Sequence, residues 1–236
     1  MMKKRIVMYG IILLILLLCL FGTYKLMNSR TYQLFGGLTS HVDTNQKAVA
    51  LTFDDGPTKN VEKILPLLDK YDAKATFFVI GNELKKNLKL GKEIAESGHQ
   101  IGNHTYSHKR MIFKKPSFIK QEIELTNQLI RKTGYKGEID FRPPNGKKLI
   151  GLPYYLKKHH IETITWSLEP DTYYSSVSDK VNYVNKNVKP GAIILLHPMY
   201  DDTSNELKTI EGILDSLSKK GYKFVTVNEL QKLHNK

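Results

Sequence analysis

Short, continuously apolar runs that alternate with amphipathic stretches constrain this chain more than any other feature. AVALTF (48–53), ATFFVIG (75–81) and AIILL (192–196) show no polar alternation, so each reads as a strand buried on both faces. Shorter strands are expected in HQIGNH (99–104), DFR (140–142), ETITWS (162–167) and KFVTV (223–227). Helical spacing fills the intervals: Val61, Ile64, Leu65 and Leu68 within 58–71, where Pro66 is expected to bend the helix, then 89–97, 117–133, 152–160, 177–188 and 205–220. Strands joined through helices make β/α units on a parallel sheet, and about seven of them favour an incomplete barrel over an open sheet. There is no internal repeat and no second domain; 236 residues suit one buried domain.

The reactive side chains cluster at the C-terminal ends of these runs, the face where a barrel carries its chemistry. Asp54 and Asp55 end the first strand, followed by Gly56 and Pro57. Adjacent carboxylates repel, and a metal or an arginine relieves the repulsion. His104 and His108 lie four apart in GNHTYSH, so local coiling turns both rings toward one ion. Asp55 as third ligand makes two imidazoles and a carboxylate, a set suited to hydrolytic Zn²⁺ with positions left open. Asp54 is then either a further ligand or the general base. Arg142, before the rigid Pro143-Pro144 elbow, is expected to orient and ionise that carboxylate. The Asn145 backbone N–H is an oxyanion donor candidate. His197 ends the most apolar run as the general acid, and Leu195 shares its side of the strand. Trp166 either stacks on a sugar or fills the barrel end. His41, His99, His159, His160 and His234 read as structural or exposed.

Residues 6–24 carry no charge and span ~29 Å as a helix, close to the ~30 Å hydrocarbon core. Lys3, Lys4 and Arg5 favour an N-in orientation. The run is long for a signal peptide and no A-x-A-like site follows, so an uncleaved signal anchor is expected. The organisation is then a cytoplasmic basic tail (1–5), one transmembrane helix (6–24), an extracellular tether or irregular arm (25–46) and a catalytic domain (47–236), single-pass in the cell membrane. The only cysteine, Cys19, lies in the span, which excludes disulfide and thiolate chemistry in the domain. The formal charge is +13; residues 31–236 keep 31 Lys+Arg against 23 acidic residues, +8. That suits anionic surroundings such as a cell wall or lipid surface. No zinc-finger, helix-turn-helix or aromatic-interleaved basic pattern occurs, so no nucleic-acid partner is expected.

TFDDGP (52–57), GNHTYSH (102–108), RPPNG (142–146) and LLH (195–197), in this order and spacing, resemble the successive motifs of the polysaccharide deacetylases, the NodB-homology domain of carbohydrate esterase family four. The resemblance covers about 80% of the chain from residue 47 onward. It implies a distorted (β/α)7 barrel, Asp54 as base held by Arg142, and Asp55, His104 and His108 as ligands of one Zn²⁺, Co²⁺ or related ion. It also implies His197 as acid and Leu195 in an acetate pocket. The family removes N- or O-acetyl groups from chitin, peptidoglycan, poly-N-acetylglucosamine or xylan. An N-acetylglucosamine polymer, peptidoglycan first, is the expected substrate, acted on by a monomer. An O-acetyl xylan esterase and a glycan-binding pseudoenzyme are the alternatives. One motif departs: where members carry Asp-Trp, this chain has Thr172 and Tyr173. Tyr173 is expected to keep the aromatic wall, and Asp171 or Glu169 to replace the charge that tunes His197.

Overall fold

The computed structural model describes residues 2–234. Along the chain the elements are α1 (Met2–Asn28), β1 (Leu38–Thr39), β2 (Ala48–Asp54), α2 (Val61–Lys70), β3 (Ala75–Val79), α3 (Gly81–Lys86), α4 (Leu88–Glu96), β4 (Gln100–Asn103), α5 (Pro116–Lys132), α6 (Gly151–Lys158), β5 (Thr163–Ile164), α7 (Val177–Asn187), β6 (Ile193–Leu196), α8 (Asn205–Lys219), β7 (Lys223–Phe224) and α9 (Val227–Lys232). The helix α1 is long and apolar enough to cross a membrane, and none of its residues is buried.

All strand pairings between these elements are parallel. The order β4-β3-β2-β6 forms the main sheet, and β7 pairs with the first residues of β2. Single-residue bridges Asn103↔Phe141, Phe141↔Thr163 and Leu168↔Ile194 carry the pairing from β4 past β5 and back to β6. Two expected strands are therefore much reduced: 140–142 supplies one bridging residue and 162–167 a two-residue strand. Pro143 and Pro144 have no N–H to extend the first ladder. The KFVTV strand also stops early, because Thr226 and Glu229 form a capping box that starts α9 at Val227. The short helix α3 was too brief to show a period, with only Gly81 and Leu84 buried.

Strand alternation sorts the two faces. Leu51 and Phe53 of β2, Phe77 and Val79 of β3, and Ile194 and Leu196 of β6 join the large core beneath α2, α4 and α8. Ala50, Phe78, Ile193 and Leu195 pack on the inner face. Thr52 and Asp54 share that inner side with Ala50, and these modest side chains leave room for Arg142, which is fully buried and lies 4.0 Å from the Phe78 ring.

Residues 29–46 lie against the domain as an irregular arm, the second of the two readings of 25–46, and not as a free tether. β1 pairs with β5, Val42 is buried, and its N–H donates to the Gly191 carbonyl at 3.0 Å. The run has little hydrophobic periodicity because it is an edge segment held mainly by backbone bonds. Gly191 has φ +81, and a Cβ there would meet the Val42 carbonyl oxygen at 1.7 Å. Gly191→Ala is expected to cost about 2–3 kcal/mol or more. Gly221→Ala, at φ +79 with nothing within 4 Å, should cost only the ~1 kcal/mol of left-handed backbone. Denaturant midpoints of the two variants measure the difference; equal losses would mean that the arm contributes nothing to stability.

Candidate active site

Asp54 and Arg142 meet inside the ring of strands. The Arg142 Nη1 donates to Asp54 Oδ1 at 2.7 Å and to Thr52 Oγ1 at 2.8 Å, and Nη2 donates to the Thr165 carbonyl at 3.1 Å. The contact to Asp54 uses one guanidinium nitrogen. Burial works to raise the Asp54 pKa, but Arg142, His104 and His197 outweigh it and hold the carboxyl below its ordinary value. Asp54 is thus an ionised carboxylate whose second oxygen, Oδ2, faces His104 Nε2 at 3.5 Å.

Asp55, His104 and His108 converge beside it, with one ligand atom from each lying within 4.8 Å of the others. His108 Nε2 is 3.4 Å and His104 Nε2 3.9 Å from Asp55 Oδ1. The His104 Nδ1 lies 2.7 Å from the Arg142 carbonyl, which can only accept, so Nδ1 carries the proton and Nε2 keeps its lone pair for the site. Burial lowers the His104 pKa and favours the neutral ring that a ligand requires. Asp55 Oδ1 is buried without a hydrogen-bond donor. Such an atom costs desolvation energy unless a cation satisfies it, and two imidazoles with one carboxylate fit a divalent ion.

The HxxxH spacing works here through a turn, not a helix. His108 N–H donates to Thr105 Oγ1, Thr105 N–H to Asn103 Oδ1, and Ser107 N–H to Glu122 Oε2, at 2.7–3.0 Å. Thr105 and His108 take φ values of 68° and 55°, and Asp55 and Asn145 also lie in the left-handed region. Four of the eight non-glycine residues with positive φ among the described residues thus surround this site, as expected of strain concentrated where side chains must be aimed. Glu122 was missed from sequence; its signal was an acidic residue on the apolar side of α5.

His197 faces the same space from β6. Its Nδ1 and its backbone N–H both lie 3.1 Å from Asp171 Oδ2. Asp171, and not Glu169, is thus the carboxylate in contact with His197. Asp171 Oδ1 pairs with Lys180 Nζ at 2.9 Å, and buried Lys180 also pairs with Glu206. Burial disfavours the charged imidazole, but the Asp171 hydrogen bond and the nearby Asp54 charge outweigh it and push His197 up to about 9. Lys180 and Glu206 lie on α7 and α8, far apart in sequence, and nothing in the chain pattern singled them out.

The family model for polysaccharide deacetylases matches residues 41–181. The chain belongs to the polysaccharide deacetylase family. The chain is 37% identical over 199 residues to a peptidoglycan-N-acetylglucosamine deacetylase of Bacillus cereus, covering 83% of this chain and 93% of that protein. An acetyl xylan esterase of Clostridium thermocellum, solved with cobalt, shares 32% identity at TM-score 0.71, over 79% of this chain and 91% of that one. A family-four pseudoenzyme of Bacillus anthracis shares 27% at TM-score 0.73, over 84% and 69%.

The cleft encloses a cavity of about 460 Å³ lined by Asp54, Asp55, His104, His108 and His197. Leu195, Trp166 and Asn145 also line it, and the Asn145 side chain accepts from Arg110 Nε at 3.2 Å. Tyr173 is a correction: it is 56% exposed and its ring packs 5.5 Å from Tyr183 of α7, while Thr172 faces the cleft. The tight turn at Pro170–Thr172 aims Asp171 at His197, and this sends Tyr173 toward α7. Glu169 accepts from Trp166 Nε1 at 2.9 Å and fixes that ring. Asn28 and Arg30 line the cleft too; both fall in the stretch 25–46, where the sequence singles out no functional residue. His99 is buried and accepts from the Ala75 N–H, a structural role as expected.

Proposed function

We propose that this deacetylase is a metal-dependent hydrolase that removes N-acetyl groups from N-acetylglucosamine units of a cell-wall or surface polysaccharide, peptidoglycan first, and releases acetate. The observation that carries the reading is the placement of an ionised Asp54 and a proton-bearing His197 around the Asp55, His104 and His108 cluster. An ion held by Asp55, His104 and His108, Zn²⁺ or a relative such as Co²⁺, supplies Lewis acidity and brings the pKa of water toward ~7. Asp54, oriented by Arg142, takes the proton of the attacking water. The Asn145 N–H is the chain's own donor to the oxyanion. His197 gives its proton to the departing nitrogen as the C–N bond breaks, which leaves acetate and a free amine. Leu195 and Trp166 supply the apolar wall for the acetyl methyl and the sugar face.

Similarity to the Bacillus cereus enzyme supports peptidoglycan, as does the +8 charge of residues 31–236. Similarity to the xylan esterase supports O-acetyl groups as the second reading. We further infer that α1 anchors a monomer with residues 31–236 outside the cell. Acetate release by the full-length protein from peptidoglycan, chito-oligosaccharide and acetylxylan, with and without Zn²⁺ or Co²⁺, tests the reading. Metal-dependent release should be fastest from an N-acetylated glycan. Faster release from acetylxylan would favour the esterase, and no release with metal bound the pseudoenzyme.

A further inference from the structure

The segment that leaves the membrane-spanning helix forms a wall of the cleft. Residues 6–24 are the charge-free run, and α1 continues unbroken to Asn28. Carbonyls at a helix end have no partner inside the helix, and here the domain supplies donors. Lys148 N–H donates to the Met27 carbonyl at 3.3 Å, the Lys148 amine to the Ser29 carbonyl, and the Lys147 amine to Asn28 Oδ1. Lys148 is only 1% exposed, so this seat is built into the domain. The Arg30 carbonyl accepts from Thr165 Oγ1, and its guanidinium lies 5.3 Å from the Trp166 ring and 3.6 Å from Glu169. Asn28 and Arg30 then face the same cavity as Asp54, Asp55 and His197.

This geometry sets the height of the cleft. Asn28 lies four positions after Tyr24, the end of the charge-free run; that is ~6 Å of helix, about the depth of the headgroup layer. A free, extended 25–46 segment would instead let the cleft range over ~70 Å. Lys25 and Lys147 add cations at this level, with no carboxylate partner among the described residues. Cations at headgroup height complement phosphate.

We propose, resting on the deacetylase reading above, that the cleft is held at the bilayer surface and takes an acetylated saccharide carried on a lipid phosphate in the same membrane. The test uses full-length protein in phosphatidylcholine vesicles containing a dansyl-headgroup lipid. Trp166 is the only tryptophan and lines the cleft, so energy transfer from it reports the height of the cleft without turnover. Transfer should be strong, and about ten Gly/Ser residues inserted between Tyr24 and Lys25, which leave 25–236 intact, should cut it by at least about twofold. Acetate release is then compared for one N-acetylated chito-oligosaccharide free in solution, on polyprenyl phosphate, and on an uncharged alkyl anchor. The polyprenyl phosphate form should show a kcat/KM on the order of tenfold above the free form. The insertion should remove most of that gain and leave the free rate nearly unchanged. Weak transfer in the parent, or an insertion variant that keeps the full gain, would overturn the proposal, and an equal gain on the alkyl anchor would overturn the role of phosphate. Strong transfer with acetate from none of the three would sink the deacetylase reading, and the substrate assignment with it, while establishing where the cleft sits.

Discussion

Asp54→Asn should lower kcat/KM about 10²–10⁴-fold while the protein keeps its metal. The amide is nearly isosteric and its oxygen can still accept from Arg142 Nη1, now at 2.7 Å from Asp54 Oδ1, but it cannot take a proton. A fully buried Arg142 then loses its counter-charge, and breaking a buried pair costs up to about 3–5 kcal/mol. Thermal melting must therefore accompany the kinetics, and the remaining Thr52 and Thr165 bonds should keep the variant folded. His104→Ala is the complement. It deletes the ring whose Nδ1–H is spent on the Arg142 carbonyl, leaving two of the three converging groups, and should lose both metal and activity. Metal analysis separates the two roles: an empty site in purified Asp54→Asn would make Asp54 a ligand and remove it as the base.

The second large effect belongs to Asp171. A general acid must be protonated, so activity governed by His197 is full below its pKa and falls as pH rises through it; for the parent that limb lies near 9 before any ion is bound. Asp171→Asn removes the leading influence that raises this pKa, while burial, which lowers it, stays. The alkaline limb of kcat/KM should move down by about 1–3 pH units. A cation held at Asp55, His104 and His108 lowers the limb in both proteins, so the difference between them is the measured quantity. Stability follows the same sign. The raised His197 pKa contributes stability fully present below about 6.5, and that stability is lost as pH rises through about 9. Asp171→Asn should shrink this dependence, because Asp54 and Asp55 still favour the charged ring. It also leaves Lys180 with Glu206 as its remaining partner. Superimposable pH profiles for parent and variant would exclude Asp171 as the tuning group.

Much of the site was legible because strand alternation is a local rule. Once AVALTFD is a buried strand, Ala50, Thr52 and Asp54 must share a face, and Leu195 and His197 do so on AIILLH. The paired carboxylates, the HxxxH spacing and Arg142 before two prolines each marked chemistry without a packing role. The choice between Asp171 and Glu169 was not legible. Both lie in one loop, and the turn at Pro170–Thr172 decides which carboxylate reaches His197 and sends Tyr173 away to Tyr183.

By itself, the sequence determined the β/α alternation, the apolar N-terminal helix and the placement of Asp54, Asp55, His104, His108, Arg142 and His197 at or just past strand ends, since each follows from periodicity or from side-chain type at a strand end. Only the tertiary structure decided that Lys180 and Glu206 back Asp171, that residues 29–46 are an arm seated against Gly191, and that Asn28 and Arg30 wall the cleft. Those contacts join segments up to 149 positions apart, as Val42 to Gly191 are. They rest on hydrogen bonds and ion pairs whose partners carry no periodic signal, so their energies exist only after the strands have brought the segments together.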